Sequence, residues 1–310
     1  MNRISVALCT YNGARYIERQ LESIRRQVRP VDEIIVCDDL SSDETVALVK
    51  HFKEISGMNV NIIINEPRRG VCGNFDNAIK QCSGDVIFLS DQDDIWLPEK
   101  TRCVMEWFEK HPEKDVVFTN GYFMNDQELS FTQRTLFGAV GFTTKAQRLF
   151  DKGFQLEAFL QHNRATGATM ALRKSSLSYL QIDVTATTAN GKPLHDHAIA
   201  LAAASLQRLG YIGMPLIRYR IHNMQECGFG NWIQKPPTND DLLKPIIAKE
   251  EYVSCVLPQA RERARFGKER RCNRRLTHKK NLLSKRAQYT ELYGKNGLMP
   301  FLKDLFWIGL

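Results

Sequence analysis

The chain has no run of about 18 consecutive apolar residues, so no membrane-spanning helix is expected. Its first residues, Met1 to Gly13, hold neither a long apolar stretch nor a small-residue cleavage site, and no signal peptide is expected from them. None of the eight cysteines (Cys9, Cys37, Cys72, Cys82, Cys103, Cys227, Cys255 and Cys272) forms a C-x-x-C pair. That spacing argues against a disulfide framework or a structural zinc and for reduced thiols in a cytosolic chain. There is no internal repeat. Acidic residues are scarce in one place: between Arg261 and Arg286, twelve lysines and arginines are opposed only by Glu262 and Glu269. The formal net charge of +8 is therefore mainly a property of the tail, and it points to a polyanionic partner there. The rest is ordinary for a soluble globular enzyme: 310 residues, 43% hydrophobic and 25% charged, enough for a full core in one large domain or two small ones.

Short apolar runs alternate with helical patterns over the first 120 residues. Residues 4–9, 34–37, 60–64, 86–89 and 116–119 read as strands. Between them, Ile17, Leu21 and Ile24 keep helical spacing, and Ser41-Ser42-Asp43-Glu44 has capping-box spacing before Val46 and Val49. Residues 74–82 read as a helix, and Pro98 opens another that runs to about Lys110. This alternation indicates an α/β fold with a mostly parallel, doubly wound sheet, whose ligands bind beyond the carboxyl ends of the strands. Those ends carry Thr10-Tyr11-Asn12-Gly13, Asp38-Asp39 and Asp91-Gln92-Asp93-Asp94, so three polar clusters are expected on one rim. Residues 121–230 are less regular, with a small-residue run at 166–169, a Gly/Pro loop at 190–193 and a helix starting near His195. Residues 231–241, which include Pro236-Pro237, read as a linker into a basic helical tail that ends at residue 310.

Three carboxylates within four residues at 91–94 repel one another unless solvated, protonated or bound to a cation. Mg²⁺ or Mn²⁺ relieves that repulsion with one or two carboxylates plus substrate phosphate oxygens. A solvated acidic turn is the plainer reading, but the position after an apolar strand favours the metal. The glycine and glutamate that an EF-hand needs at loop positions six and twelve are missing. Asp38-Asp39 either caps a helix or lets one carboxylate accept the imide N–H of a uracil or thymine ring.

In order and spacing, residues 6–13, 36–43 and 88–98 resemble the successive motifs of family-two glycosyltransferases, inverting enzymes of GT-A fold. The resemblance takes in Arg69, Gly70 and Asn74, where members commonly carry a Gly and an Asn lining the nucleotide sugar. It continues more weakly through residues 166–170, 194–197 and 219–223, the last similar to a closing motif of bacterial rhamnosyl- and glucosyltransferases of O-antigen and capsule assembly. Cys9 stands where Pro is common, and Leu40 where Gly is usual.

The resemblance implies transfer of a sugar from a UDP- or dTDP-linked donor to a hydroxyl of a glycan acceptor, carried on a polyprenyl diphosphate in many relatives. Asp93 is expected to bind Mg²⁺ or Mn²⁺ directly, Asp91 to reach the ribose or the metal through water, and Asp94 to orient the loop. Asp196 is expected to be the catalytic base, although a helix cap explains an aspartate there as well. His222 either completes the metal shell or closes a strand. Thr10, Tyr11, Asn12, Asp38, Asp39, Arg69, Gly70, Asn74, Asp91 and Gln92 are expected around the nucleotide sugar. A zinc site on His195, Asp196 and His197 is rejected, because adjacent helix-start positions do not face one way. The domain organisation expected is a GT-A unit over 1–230, with donor half 1–120 and acceptor half 121–230, and then the tail.

The tail reads as a solvated helical face or as a contact with anionic lipid, helped by Phe301, Phe306 and Trp307. The second reading places the protein peripherally on the cytoplasmic face of an inner membrane. Nucleic acid is not expected as a partner, since no recognised binding module accompanies the charge. A sugar-phosphate nucleotidyltransferase is the enzymatic rival, but the loop after the first strand lacks the Gly/Arg-rich, Lys-containing pattern it would need. A dead transferase fold acting as a membrane-associated interaction protein has no use for three clustered carboxylates.

Overall fold

The computed structural model describes residues 2–160, 163–186, 193–222 and 225. The linker and tail expected at 231–310 lie outside the described residues, as do Cys227, Cys255 and Cys272. The strands β1 (Ile4–Thr10), β2 (Glu33–Asp38), β3 (Val60–Ile64) and β4 (Val86–Ser90) alternate with helices α1 (Ile17–Arg25), α2 (Thr45–Ser56) and α3 (Gly70–Gln81). Then come the two-residue strand β5 (Ile95–Trp96), α4 (Lys100–Lys110), β6 (Val116–Met124), β7 (Ser130–Thr135) and the short helices α5 (Leu136–Ala139), α6 (Thr144–Asp151) and α7 (Gln155–Leu160). The order closes with β8 (Met170–Arg173), α8 (His195–Ser205) and β9 (Leu209–Arg220).

All nine strands join one sheet in the order β3-β2-β1-β4-β8-β6-β9-β5, with β7 pairing β6. The first four strands are parallel, as expected. The second half is mixed: β8 runs antiparallel to both β4 and β6, β5 is antiparallel to β9, and β6 and β9 are parallel. The apolar runs of the second half carry no signature of direction, so its antiparallel members were not legible from pattern.

Period-two alternation sorts the β1 side chains onto two cores. Val6 and Leu8 pack with Ile17, Leu21 and Ile24 of α1, Val49 and Phe52 of α2, and Val104 and Phe108 of α4. Ala7 and Cys9 face the opposite layer, with Phe75, Ala78 and Ile79 of α3 and Ile199, Ala200, Leu201, Ala203 and Ala204 of α8. The chain thus winds outward from β1 through α1 and α2 on one face, then returns through α3 on the other to reach β4. The boundary between β1 and β4 is the topological switch point, where an open α/β sheet leaves a crevice at its carboxyl edge. Among the described residues no helix is long and apolar enough to cross a membrane. Cys9, Cys37, Cys72, Cys82 and Cys103 are free thiols, the first four of them buried.

Candidate active site

The three polar clusters meet at the switch point. Thr10 Oγ1 donates to Asp38 Oδ2 at 2.6 Å, and Ser41 donates to the same carboxylate through both its N–H (2.7 Å) and its hydroxyl (2.6 Å). Asp39 binds the turn before α3: its Oδ1 accepts from the Arg69 N–H at 2.7 Å and Asn65 Nδ2 at 3.1 Å, and its Oδ2 from the Gly70 N–H at 2.9 Å and Arg68 Nε at 3.4 Å. Gly70 has φ +68°, a conformation that side chains resist, and it lets both N–H groups turn toward one carboxylate. Asn74 donates to the carbonyls of Cys37 (2.9 Å) and Thr10 (3.4 Å), and accepts from Asn65 at 2.8 Å. Thr10, Asp38, Asp39 and Asn74 are all buried. All four are anchored by protein partners at the carboxyl edge of the sheet.

Gln92 anchors the loop after β1. Its amide pairs with the Tyr11 backbone in both directions, accepting from the N–H at 2.8 Å and donating to the carbonyl at 2.9 Å. The pairing requires Gly13, since a Cβ there would sit 2.1 Å from Gln92 Oε1. Asn12, at φ +47°, directs its N–H to Ser41 Oγ (2.8 Å) and its Oδ1 to the Ser42 N–H (2.8 Å). It locks the loop and stays exposed. Tyr11 keeps part of its ring accessible, and the exposed Arg68 guanidinium lies 3.5 Å from the centre of that ring. The expected capping box does not form: the N-cap of α2 is Glu44 without a side-chain cap bond, and Asp43 Oδ1 accepts from the Thr45 N–H at 3.0 Å in the turn just before it.

Asp91, Asp93 and Asp196 form the charged centre. Burial, then Asp93, then Asp196 raise the Asp91 carboxyl to about 7, against an opposing pull from Lys100. Asp93 is held from the far edge of the sheet: its Oδ2 accepts from His222 Nε2 at 2.8 Å, and its carbonyl from Arg220 Nε at 2.7 Å. The His222 ring rests 4.6 Å from that of Tyr16, whose hydroxyl donates to Asp126 at 2.9 Å. Asp94 takes the loop-orienting part, accepting from the Arg220 N–H at 3.0 Å; burial with Asp93 and Asp91 alongside pushes its carboxyl well above the usual range. An open cavity of about 440 Å³, lined by Arg15, Tyr16, Asn125, Asp126, Gln127, Ile221 and His222, adjoins this loop through His222.

Asp196 is not the cap of α8, which is Leu194, but lies in its first turn. Its Oδ2 accepts from the Gly167 N–H at 3.2 Å and its Oδ1 from the His197 N–H at 2.7 Å. The expected helix start and the expected small-residue segment therefore touch. His197 points away, its Nε2 2.7 Å from the Phe159 carbonyl, in keeping with the rejection of zinc. Among the described residues no three His, Cys, Asp or Glu side chains stand as a ready cage. A carboxylate pair with a histidine suits a hard divalent cation that draws its remaining ligands from a diphosphate and water.

Two cations are buried here, and of these Lys100 went unread. Lys100 is fully buried, donates to the Ala168 carbonyl at 2.7 Å and lies 3.9 Å from the centre of the Trp96 ring. Burial lowers it to about 7, with Asp94 and Asp91 holding it up. Its alignment at i, i+4, i+8 with Val104 and Phe108 was the available signal. Arg220, which its place beside Tyr219 in the sequence leaves open as a phosphate ligand or a structural salt-bridge partner, is 1% exposed and tied to backbone carbonyls and Glu128, so it acts as an internal strut.

The pKa displacement at Asp91 has a testable sign. A carboxyl that titrates near 7 when folded and at 3.8 when unfolded binds more protons in the folded state between those values. Stability therefore falls as pH rises through that window. In metal-free protein at pH 8, Asp91→Asn is expected to raise the melting temperature by several degrees and to flatten the decline between pH 5 and 8. Differential scanning calorimetry checks both.

The switch-point site and the mixed sheet built onto four parallel strands are the GT-A architecture. Residues 5–180, more than half of the chain, match Glycosyl transferase family 2, and the chain belongs to that family. The dTDP-rhamnosyl transferase RfbG of Shigella flexneri is 28% identical over 228 residues, covering 71% of this chain and 73% of the relative. The UDP-Glc:alpha-D-GlcNAc-diphosphoundecaprenol beta-1,3-glucosyltransferase WfgD of Escherichia coli is 34% identical over 97 residues, 31% of this chain and 37% of the relative. The chain spans 42%, 33% and 37% of the length of three of the curated relatives it matches. Among solved structures, Staphylococcus aureus TarS 1–349 with UDP superposes with a TM-score of 0.57 at 16% identity, over 95% of this chain and 74% of that one. The mannosyltransferase PcManGT of Pyrobaculum calidifontis, in complex with GDP-Man and Mn²⁺, gives 0.50 at 15% identity, over 100% and 88%.

Proposed function

We propose that this protein transfers a sugar, with inversion, from a UDP- or dTDP-linked donor to a hydroxyl of a glycan acceptor in surface polysaccharide synthesis. The observation that carries the reading is the convergence of Asp91, Asp93 and Asp196 at the switch point, with His222 against Asp93. RfbG and WfgD, named for dTDP-rhamnosyl and UDP-glucose transfer, support the donor class.

In this reading the base of the nucleotide stacks on Tyr11, where the Arg68 guanidinium now lies. The long Arg68–Asp39 contact is the one an imide N–H replaces. Arg69, exposed at the start of α3, faces the diphosphate. Asp93 and His222, with Asp91, hold Mn²⁺ or Mg²⁺, which supplies positive charge to the leaving diphosphate. PcManGT carries Mn²⁺ in its complex, which favours manganese as the first ion to try. Asp196, fixed by the Gly167 and His197 N–H groups, takes the proton of the attacking hydroxyl on the acceptor side. The basic tail holds the enzyme at an anionic membrane surface on the cytoplasmic face, consistent with the diphosphoundecaprenol in the name of WfgD.

Calorimetric titration with UDP, dTDP, GDP and CDP, each with and without Mn²⁺, tests the donor site. Metal-dependent binding of UDP or dTDP is the expected result; silence from all four in folded protein would sink the proposal.

A further inference from the structure

Lys100 is the one buried lysine among the described residues, and no step of the proposed reaction uses it. Its backbone is fastened to the donor half, where the start of α4 meets the end of α1. Thr101 donates from its N–H to Gln27 Oε1 at 3.0 Å and from its hydroxyl to the Arg29 carbonyl at 2.6 Å. Gln27 Nε2 in turn donates to the Leu97 carbonyl at 2.9 Å. The Lys100 ammonium reaches across to the acceptor half, where it donates to the Ala168 carbonyl at 2.7 Å.

Ala168 stands in the 3₁₀ turn Gly167–Thr169, which is closed on the Thr166 carbonyl by the Thr169 N–H at 2.9 Å and the Thr169 hydroxyl at 2.6 Å. The same turn presents the Gly167 N–H to Asp196 Oδ2 at 3.2 Å. A turn this short and doubly closed moves as one piece, so whatever holds the Ala168 carbonyl also sets where Gly167 holds Asp196. An ammonium is costly to bury unless its charge is compensated. Burial works against the Lys100 charge, and Asp94 and Asp91 of the acidic loop work for it. An apolar side chain would avoid the burial cost, but it would take the donor away from a buried carbonyl. Lys100 thus answers to both sides at once, by charge to the acidic loop and by hydrogen bond to the turn that holds Asp196.

We propose that Lys100 is a positioning residue: its ammonium fixes the Gly167–Thr169 turn against the acidic loop and so sets the separation of Asp196 from Asp91 and Asp93. The assignment rests on the transferase reading above. In an in-line displacement the leaving diphosphate and the attacking hydroxyl lie on opposite sides of one carbon atom. The groups that hold them must therefore keep a fixed spacing, and an error of about 1 Å costs about 100-fold in rate. Lys100 touches neither substrate; it acts through the turn.

The test uses the full chain with Mn²⁺ and a matched set of variants: Lys100→Met, Asp196→Asn and the two combined. Lys100→Met keeps the aliphatic stem beside Trp96 and removes both the hydrogen bond and the charge. Its kcat, read as nucleoside diphosphate release from saturating UDP-glucose or dTDP-rhamnose, is expected to fall about 10- to 100-fold. Its Mn²⁺-dependent affinity for UDP or dTDP is expected to stay level or to tighten, because a positive charge has left the side of Asp91 and Asp94. In the Asp196→Asn background the same substitution is expected to change kcat little, since the base it positions is absent. A general loosening of the fold would instead lower affinity along with rate, and would lower the rate by the same factor in both backgrounds. Either of those results overturns the assignment. Should Lys100→Met fail to fold, Lys100→Gln, an uncharged donor of shorter reach, carries the same comparison. A wild type that binds no nucleotide with Mn²⁺, or an Asp196→Asn protein at full rate, removes the transferase reading and this proposal with it. Equal losses in the two backgrounds strike the Lys100 assignment alone, so the two failures stay distinguishable.

Discussion

Asp196→Asn is expected to lower kcat by about 10²- to 10⁴-fold while leaving metal-dependent nucleotide affinity unchanged. The substitution keeps an oxygen for one of the two N–H groups that now hold the carboxylate, those of Gly167 and His197. The first turn of α8 therefore stays in place, and the loss reports proton transfer rather than folding. In an inverting displacement the attacking hydroxyl approaches the face opposite the leaving diphosphate. A base there must come from an element outside the nucleotide half, and α8 is that element. The measurement is the rate of nucleoside diphosphate release under saturating donor, with a calorimetric Kd for the nucleotide alongside. Equal rates for variant and wild type would remove Asp196 from the mechanism.

Asp93→Ala is expected to cost more at an earlier step. Removing even an outer partner of a metal ligand typically weakens metal binding about 10- to 100-fold, so loss of a direct ligand is expected to exceed about 100-fold in Mn²⁺-dependent nucleotide affinity. It also leaves His222 Nε2 without the carboxylate it meets at 2.8 Å. His222→Ala is expected to give the smaller loss, because Asp93 retains its backbone anchor through Arg220. The reverse ranking would make His222 the principal ligand and Asp93 its orienting partner. Calorimetry with and without Mn²⁺ separates the metal-dependent part from residual binding on Tyr11.

Much of this was legible in the sequence because the first half obeys one rule repeatedly. Apolar runs at 4–9, 34–37, 60–64 and 86–89 became four parallel strands, and the residues that follow three of them came together as expected. Reading that Asp38, Asp39 and Gln92 lie near the site required only the order of elements, while Asn74 came from the family resemblance. Reading what they do required geometry. The four bonds that Asp39 accepts from residues 65–70 are invisible in one dimension. Lys100 was missed for a related reason: charge usually signals solvent, and only the partners reveal an internal cation. The antiparallel β8 and β5, four and two residues long, are too short to carry a pattern of their own.

The covalent join between the two halves of the sheet is the acidic loop itself. Every strand up to residue 90 belongs to the parallel half, and every strand from residue 95 onward to the mixed half. Among the described residues the strands of the two halves pair directly through three register pairs, Val86 with Arg173, Ile87 with Leu172 and Phe88 with Ala171, while both cores draw side chains from each half. Within the loop, allegiance changes from residue to residue: Gln92 grips Tyr11 on one side, while Asp93 and Asp94 are gripped by His222 and Arg220 on the other. A single genetic crossover at this loop would exchange one complete half for another. The hybrid would inherit a working centre only where Gly13 and Gln92 on one side, and Arg220 and His222 on the other, came as matched sets. The join thus sets the terms on which such a chain can exchange one half of its sheet and keep the other.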